Sequence, residues 1–295
     1  MFKTKKINKI NITPVVNQKF DPKTVHGYEW FHNPYNNVAV VGRTRVGKTN
    51  VVYRVLESTI QPKTNVIIFC PSVNTDGTYK LMKKMLKKKK VNLKVYEHFQ
   101  EDGVNHIENL VDLLGKDDMV GNGGNQEEVR GKIDLSMDEI LFGDNPTVVT
   151  TLDKNKEISG YGKPKKIKKP KGKLSPEYVI IIDDLTSLCR DKSITRLLCK
   201  SRHMKMRIFI NIHSITDLMP AAFGQLSNIL LFPNINRDRI EQISEKCGLT
   251  FKEDTNKRSV LWDLYEDATK EPYNFLYCDT RDMEYKKNFD EIYQV

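Results

Sequence analysis

The chain has 295 residues, of which 39% are hydrophobic and 29% charged, and its formal net charge at pH 7 is +10. This length fits one large α/β domain with additions, and the apolar content is sufficient for a buried core. The positive charge favours an acidic partner, and nucleic acid is the commonest large one. No stretch approaches the length of a membrane span, and the basic start of the chain lacks the apolar segment of a secretion signal. The composition therefore predicts a soluble, intracellular protein.

The first 35 residues are predicted to form an N-terminal arm, because prolines at 14, 22 and 34 interrupt regular structure. Residues 36–295 are then predicted to form the main domain. Trp30 and Phe31 lie just before the first predicted strand. Two interpretations of this aromatic pair stay open, namely packing against the edge of the sheet and covering a nucleotide base.

The strongest motif begins where a short apolar run, 38–41, ends. The run is followed by Gly42, Arg43, Thr44, Arg45, Val46, Gly47, Lys48 and Thr49, in the phosphate-binding pattern G-x-x-x-x-G-K-[ST], and by a helical segment at 50–58. In such a loop the glycines let backbone N–H groups point inward at phosphate oxygens. Lys48 is predicted to reach the β- and γ-phosphates of ATP, and the Thr49 hydroxyl to take a Mg²⁺ position. The alternative is a glycine turn that binds nothing.

A second buried strand is predicted at 66–70, followed by an amphipathic helix at 79–90. The predicted apolar face of this helix consists of Leu81, Met82, Met85 and Leu86. The lysines on its other faces are interpreted either as a solvated surface or as a phosphate-contact surface for nucleic acid.

A long charged insertion is predicted at 97–175, because this tract exceeds an ordinary connection within a compact domain. Its composition is first acidic, with a glycine-rich tip at 121–125, and then strongly basic at 160–173. We expect the insertion to be partly disordered. Its basic part is consistent with a nucleic-acid finger, a nuclear localisation signal or a plain solvated loop.

Two acidic residues follow the next apolar run, 178–182. A carboxylate at the end of a buried strand beside a phosphate loop is suited to hold Mg²⁺, which is the role predicted for Asp183. Asp184 is predicted to polarise the water that attacks the γ-phosphate. The alternative for Asp184 is an ordinary helix cap, since a helical segment follows.

The remaining chain continues the alternation of helix and strand. A helix is predicted at 191–203, and the next strand, 207–213, ends on polar residues. In NTPases that place this strand between the loop strand and the acid strand, its polar end senses the γ-phosphate. His213 is the candidate sensor, with Asn211 second, and a packing histidine is the alternative.

The last predicted elements are a strand at 228–233, a helix at 237–247 and a closing hairpin formed by 260–265 and 273–278. Together these elements predict an α/β fold of the P-loop NTPase type, similar to RecA and other ASCE proteins. The predicted architecture is a three-layer sandwich with a mainly parallel central sheet and the charged insertion.

The order of these motifs resembles that of one family, the genome-packaging ATPases of the FtsK/HerA superfamily found in poxvirus-like large DNA viruses and virophages. The resemblance covers roughly 37–279 apart from the insertion, and is carried by the phosphate loop, Asp183-Asp184 and Ser201-Arg202-His203 before a strand with a polar end. Two positions depart from the family pattern. His213 stands where the sensor is usually glutamine, and Gln225 stands where relatives often have arginine.

The resemblance implies an ATP-hydrolysing translocase of double-stranded DNA that packages a viral genome into a preformed capsid, with ATP and Mg²⁺ as cofactors. It implies a homo-oligomeric ring of five or six subunits, capsid portal or vertex proteins as partners, and a location in the host cytoplasm at the virus factory, in the virion or in the nucleus. Arg202 is the predicted arginine donated to a neighbouring subunit, with Arg196 and Arg207 as rivals.

Other function classes stay open at this stage. The same chemistry would serve a helicase or a conjugation-type DNA motor. A small-molecule P-loop kinase is disfavoured because no arginine-rich lid follows the sheet, and a GTPase because no N-K-x-D motif is present. A DNA-binding scaffold with a vestigial loop is disfavoured by the intact set of Lys48, Thr49, Asp183 and Asp184.

Overall fold

The computed structural model describes residues 20–101, 103–120, 173–185, 188–251 and 259–294. Its centre is a nine-stranded sheet. The sheet strands are β1 (Asn37–Val41), β2 (Asn65–Phe69), β3 (Asn92–Tyr96), β6 (Tyr178–Asp183), β7 (Met206–Ile212), β8 (Asn228–Leu231), β9 (Leu276–Asp279), β10 (Glu284–Lys287) and β11 (Glu291–Ile292). Two short strands, β4 (Gln100–Glu101) and β5 (Val104–Asn105), pair only with each other.

The strand order across the sheet is β11, β10, β9, β8, β1, β7, β6, β2, β3. The six strands from β8 to β3 run parallel, and β9, β10 and β11 add an antiparallel edge. Parallel strands covered on both faces are built from continuous apolar runs, which explains the valine- and isoleucine-rich sequences of β1, β2 and β6. The predicted position of β7, between the loop strand β1 and the acid strand β6, is confirmed.

Helices cover both faces of the sheet. They are α1 (Lys48–Thr59), α2 (Gly77–Lys88), α3 (His106–Val120), α4 (Lys192–Lys200), α5 (Pro220–Phe223), α6 (Arg237–Cys247) and α7 (Val260–Ala268), with a 3₁₀ turn at Ile215–Asp217. Buried side chains of α1 and α2 pack on one face, and those of α3 to α7 pack on the other. The predicted three-layer α/β sandwich is therefore confirmed.

Local capping chemistry decides where several helices begin. The carboxylate of Asp76 accepts hydrogen bonds from the first turn of α2, and that of Asp191 accepts one from the first turn of α4. Asn236 caps α6 in the same way, and Gly248 ends that helix in the left-handed conformation, with φ of 71°. Such caps satisfy N–H groups that have no partner within the helix.

The predicted hairpin of 260–265 with 273–278 is wrong in its first half, because 260–268 forms the helix α7. The Ser259 side chain caps this helix, and Leu261, Tyr265 and Ala268 recur at helical spacing and are buried. The antiparallel hairpin at this edge is instead formed by β9 and β10. The apolar run at 260–265 was too short for periodicity to distinguish a strand from a buried helix.

The predicted apolar face of α2 is also partly wrong. Leu81 is 60% exposed, whereas Tyr79, Met82 and Leu86 are buried. The buried stripe therefore begins at Tyr79 and follows the i, i+3, i+7 spacing, which turns Leu81 toward solvent. This shift brings the Tyr79 hydroxyl into the interior.

The end of the predicted N-terminal arm packs against the sheet. The Trp30 ring lies edge-on to Phe289 at 4.8 Å, and Phe31 is fully buried beside Phe209 and Tyr277. The packing interpretation of this aromatic pair is therefore correct. Residues 1–19 lie outside the described residues.

The first part of the predicted insertion is built into the core. Ile107, Leu110 and Val111 of α3 are buried in the cluster that also holds α4. Residues 121–172, with the glycine-rich tip and nearly all of the basic tract, lie outside the described residues, and the predicted extent of the insertion stays a prediction. Within the described ranges, no helix has the combined length and apolar character needed to cross a membrane.

Candidate functional site

The phosphate loop connects β1 to α1 at the edge of the sheet where the parallel strands end. Gly42 is required by close packing, because a Cβ atom there would lie 2.7 Å from Cβ of Phe232. Gly47 has a φ of 104°, a conformation that strains any other residue. Gly47 is also the N-cap of α1 and provides no side-chain cap. The N–H groups in the first turn of α1 therefore have no side-chain partner and face the interior of the loop. Together with the positive end of the helix dipole, they are suited to bind an anion.

The Lys48 side chain is folded under the loop. Its Nζ donates hydrogen bonds to the carbonyl oxygens of Gly42, at 2.8 Å, and Arg43, at 3.0 Å. Lys48 is only 8% exposed, and this burial lowers the pKa of its ammonium group, while the charges of Asp183 and Asp184 act in the opposite direction. The loop therefore holds a desolvated cation beside two carboxylates.

Asp183 ends β6 and lies next to the loop. Its Oδ2 accepts a hydrogen bond from Thr49 Oγ1, at 2.9 Å, and a second from the Tyr79 hydroxyl, at 2.6 Å. Burial raises the pKa of the Asp183 carboxyl, and the hydrogen bonds from Tyr79 and Thr49 counteract part of that rise. The predicted pair of Thr49 and Asp183 is thus in direct contact, although the two residues are 134 positions apart.

Tyr79 is a residue of this site that the sequence analysis did not select. It lies in the first turn of α2, and its hydroxyl lies inside the protein. The available signal was a tyrosine at the start of the buried stripe of α2, where a polar tip needs a partner. Nothing in the sequence indicated that the partner would be Asp183.

Asn211 lies beside Asp183 in the neighbouring strand β7, where the two residues are register partners. Asn211 is 2% exposed, and neither its Oδ1 nor its Nδ2 has a hydrogen-bond partner within the described residues. The amide is near enough to help lower the pKa of Asp183, although the two side chains do not meet hydrogen-bond geometry. A buried amide without partners costs free energy.

Asp184 and His213 complete the exposed side of the site. Nε2 of His213 lies 3.9 Å from Oδ1 of Asp184, and its Nδ1 lies 3.3 Å from the carbonyl oxygen of Gly42. The backbone N–H of His213 donates to Asp217 Oδ2, which fixes the turn after β7. Asp184 has a φ of 57°, and the following helix α4 is capped by Asp191. Asp184 is therefore not the cap of α4.

The side chains around Asp183 fit a magnesium ion that is held together with a phosphate ligand. A carboxylate and a hydroxyl are the oxygen donors that Mg²⁺ prefers. Within the described part of the chain, no group of three histidine, cysteine, aspartate or glutamate residues forms a metal site. Thr49 and Asp183 would supply two positions, and Mg²⁺ usually takes the others from phosphates and water.

The arginines named by the sequence analysis are not at this site. Arg202 is exposed in the turn before β7, at the amino-terminal ends of the parallel strands, whereas the phosphate loop lies at their carboxyl-terminal ends. The length of β7 therefore places Arg202 roughly 20 Å from the loop. Arg196 pairs with Glu108 at 2.5 Å and with Asp112 at 2.9 Å. The role predicted for Arg202 concerns a neighbouring subunit and stays a prediction.

Arg207 is buried inside the chain, so it is not available to a neighbouring subunit. Its Nε donates to Asn36 Oδ1 at 2.9 Å, and its guanidinium lies 5.0 Å from the centre of the Phe31 ring. Burial lowers the pKa of Arg207 to about 10, which leaves the group charged at neutral pH. Its position beneath the sheet identifies it as a structural residue, and the expectation that it rivals Arg202 is wrong.

Comparisons with known proteins gave similarities to solved structures, while no family model and no curated protein matches the chain. The DNA-packaging ATPase B204 of Sulfolobus turreted icosahedral virus is similar with a TM-score of 0.47 and 15% identity, over 86% of this chain and 97% of B204. B204 of Sulfolobus turreted icosahedral virus 2, in complex with ATP-γS, gives a TM-score of 0.44 at 15% identity, over the same shares of the two chains.

A third similar structure is EssC of Geobacillus thermodenitrificans, comprising its ATPases 2 and 3. It has a TM-score of 0.45 and 9% identity, over 88% of this chain and 39% of EssC. Independently of these similarities, the loop sequence, the position of β7 between β1 and β6, and the contact of Thr49 with Asp183 identify the fold of this chain as that of a P-loop NTPase.

Proposed function

We propose that this chain is an ATP-hydrolysing motor that moves double-stranded DNA and packages a viral genome into a preformed capsid. The observation that carries the hydrolase part is the convergence of Lys48, Thr49, Asp183, Asp184 and His213 at one edge of the sheet. These residues come from three separated stretches of the chain, 48–49, 183–184 and 213. A glycine turn that binds nothing, or a vestigial loop, gives no reason for them to meet.

Each residue has a distinct task in this proposal. The loop N–H groups and Lys48 bind the phosphates of ATP, and Thr49 and Asp183 hold Mg²⁺. When bound, Mg²⁺ supplies positive charge that offsets the charge developing on the phosphate oxygens. Asp184, whose side chain is half exposed, orients a water and accepts its proton. His213 lies between Gly42 and Asp184, where it responds to the presence of the γ-phosphate.

The DNA part of the proposal is supported by charge and by the order of motifs. The net charge is +10, and exposed lysines on α2, at positions 80, 84, 87 and 88, form one basic face. The basic tract at 160–173 is a second candidate surface. A translocating motor grips the DNA backbone, so lysines without aromatic partners suit it better than a base-reading motif does. The similar protein B204 is itself described as a DNA-packaging ATPase.

The test is ATP hydrolysis by the purified chain with and without duplex DNA. We expect duplex DNA to raise the rate, and we expect Lys48→Ala and Asp184→Asn each to lose at least about 100-fold, the scale of a removed catalytic group. Asparagine tolerates the positive φ of position 184, so this variant removes the charge without straining the turn. Lys246→Ala, at an exposed lysine of α6, is the matched control and should keep full activity.

Two results would contradict the proposal at different levels. If Lys48→Ala hydrolyses ATP as fast as the unmodified chain, the phosphate loop is not the site of hydrolysis, and the proposed nucleotide site is wrong. If hydrolysis depends on Lys48 but duplex DNA of any length does not change its rate, the chain is an ATPase, and the proposed DNA-motor function is wrong.

A further inference from the structure

We infer that Tyr273 is the surface on which the base of the bound nucleotide stacks, an inference that rests on the proposed nucleotide site. Tyr273 lies between α7 and β9, at the mouth of the phosphate loop. A Cβ atom built on Gly47 would lie 3.3 Å from Cδ1 of Tyr273 and 3.7 Å from the Phe232 ring. Chain neighbours aside, the tyrosine ring is thus the side chain nearest to Gly47, the residue that precedes Lys48.

The exposure of Tyr273 distinguishes it from the aromatic residues around it. Phe232 and Phe275 stack on each other at 5.1 Å and are buried, whereas Tyr273 is 67% exposed. Among the large apolar side chains that are exposed in the described ranges, it is the one aromatic residue. Solvent therefore covers a ring whose flat surface is suited to another aromatic ring.

The backbone at Tyr273 is held in a conformation that costs free energy. Its φ is 69°, in the left-handed region that is unfavourable for a bulky residue. The segment is fixed on both sides, because the N–H of Asn274 donates to the Glu271 carbonyl at 3.3 Å and the N–H of Phe275 donates to Asn288 Oδ1 at 3.1 Å. Within the chain, the exposed ring gains little from this strain. A ligand on the ring provides the compensating interaction.

The ligand class follows from the neighbouring loop. Phosphates bound by the loop leave the ribose and base to extend away from its N–H groups, toward the residues at its mouth. Stacking between a base and an aromatic side chain contributes binding energy without reading base identity, because every base has a π face. The sequence also lacks the N-K-x-D pattern that reads guanine. Tyr273 should therefore support purine nucleotides in general, with ATP and GTP affected alike.

The experiment compares ligands that carry a base with one that does not. Dissociation constants for ATP, GTP and inorganic triphosphate are measured by calorimetry, with Mg²⁺, for the full chain and for Tyr273→Asn and Tyr273→Phe. Asparagine accepts the positive φ, so the first variant removes the ring and keeps the backbone favourable. We expect Tyr273→Asn to lose about 5- to 150-fold in affinity for ATP and GTP, the range of a base-stacking contact, and to bind triphosphate unchanged. Tyr273→Phe keeps the ring and should bind all three ligands like the unmodified chain.

The possible failures can be separated from one another. An equal loss for ATP and for triphosphate in Tyr273→Asn would mean that the ring supports the loop, and would overturn the stacking role. Unchanged affinity for every ligand would overturn it as well. An unmodified chain that binds neither ATP nor triphosphate would overturn the nucleotide site on which the inference rests. A cooperative thermal unfolding transition of each variant, with a midpoint no lower than that of the unmodified chain, establishes that the comparison concerns folded protein.

Discussion

At the scale of single residues, the site depends on how Asp183 is held. This buried carboxylate accepts hydrogen bonds from Thr49 and Tyr79 on the same oxygen, and Asn211 lies beside it without a partner in the described residues. Two donors on one oxygen restrain the side-chain rotamer of Asp183. Partners of this kind orient metal ligands and tune their affinity.

Tyr79→Phe should therefore weaken metal binding without changing metal-free nucleotide binding. We expect the affinity for Mn²⁺, used as a spectroscopic substitute for Mg²⁺ in the presence of ATP, to fall about 10- to 100-fold. Electron paramagnetic resonance of free Mn²⁺ measures this change, and ATP affinity in a chelator should stay the same. Tyr53→Phe is the matched control, since the Tyr53 hydroxyl bonds Glu57 on the surface of α1. If Tyr79→Phe binds Mn²⁺ as tightly as Tyr53→Phe does, the hydroxyl does not position Asp183.

Asp183→Asn should stabilise the ligand-free chain while it abolishes metal-dependent nucleotide binding. Burial raises the pKa of Asp183, so the ionised form is disfavoured in the folded state. Asparagine can accept the same hydrogen bonds without a charge, and we expect a gain of about 0.5–2 kcal/mol in the free energy of unfolding near pH 7.5. Urea denaturation measures it.

The stability difference between Asp183→Asn and the wild-type chain should depend on pH. A carboxyl whose pKa is higher in the folded state binds more protons when folded, so the wild-type chain gains stability as the pH falls toward that pKa. The advantage of Asp183→Asn should then shrink as the pH is lowered from about 7.5 to about 5. A variant that is less stable than the wild type across this range would contradict the account.

The residue roles could be read from the sequence only in part. Gly42 to Thr49, Asp183 and Asp184 follow strict local spacing, so their chemistry was predictable and the structure brings them together. Tyr79 and Tyr273 each reach the site from a distant segment. Their contribution depends on tertiary contacts for which no local spacing exists.

At the scale of elements, helix α7 supports the phosphate loop from behind. The Tyr265 hydroxyl donates to the carbonyl oxygen of Phe232 at 2.9 Å and accepts from the N–H of Ile235 at the same distance. Phe232 in turn packs directly on Gly42. The Tyr265 side chain of α7 therefore helps to fix the segment after β8, together with the backbone hydrogen bond from Phe232 N–H to the Val41 carbonyl oxygen at 2.9 Å.

Tyr265→Phe should destabilise the fold by about 1–3 kcal/mol, because it leaves a buried carbonyl and a buried N–H without their partner. We expect ATP affinity to fall as well, since the Phe232 side chain packs on Gly42 and the Phe232 carbonyl loses its hydrogen bond from Tyr265. Urea denaturation and calorimetry measure the two effects. Tyr293→Phe, which removes a hydroxyl bonded to Asp267 nearer the surface, is the control. Equal losses in the two variants would mean that α7 has no special role at the loop.

The contrast between α7 and β7 shows which elements the sequence could predict. The position of β7 between β1 and β6 was predictable, because NTPases with this order of motifs place a strand with a polar end between the loop strand and the acid strand. The segment at 260–265 offered only a short apolar run, and its helical state depends on the Ser259 cap and on packing against the sheet. Tertiary burial decided this element, and periodicity in so short a window did not contain that information.

At the scale of the whole molecule, the proposed ring needs an arginine from each subunit to act at its neighbour's site. Arg202 is exposed at the edge of the sheet opposite the loop, as an arginine donated outward requires. Arg207 is buried and Arg196 is paired with two acids. The sequence could suggest all three arginines but could not tell which side chain is free to leave its own subunit.

A mixing experiment tests this assignment. We expect Arg202→Ala and Lys48→Ala each to lose hydrolysis, by about 10³- to 10⁵-fold for the arginine if it stabilises the transferring phosphoryl group. In a mixture of the two, an intact loop from an Arg202→Ala subunit can meet Arg202 of a Lys48→Ala subunit. Hydrolysis should then reappear, measured as phosphate release against mixing ratio. A mixture as inactive as its two components would contradict a trans role for Arg202.

The central claim, that ATP hydrolysis at this loop drives movement along duplex DNA, is tested most directly by displacement of a third strand from a blunt-ended duplex. We expect displacement that requires ATP, increases with duplex length ahead of the third strand, and is absent in Lys48→Ala. Hydrolysis stimulated by DNA without any displacement from the blunt duplex, or displacement only from forked substrates that are unwound, would contradict the claim.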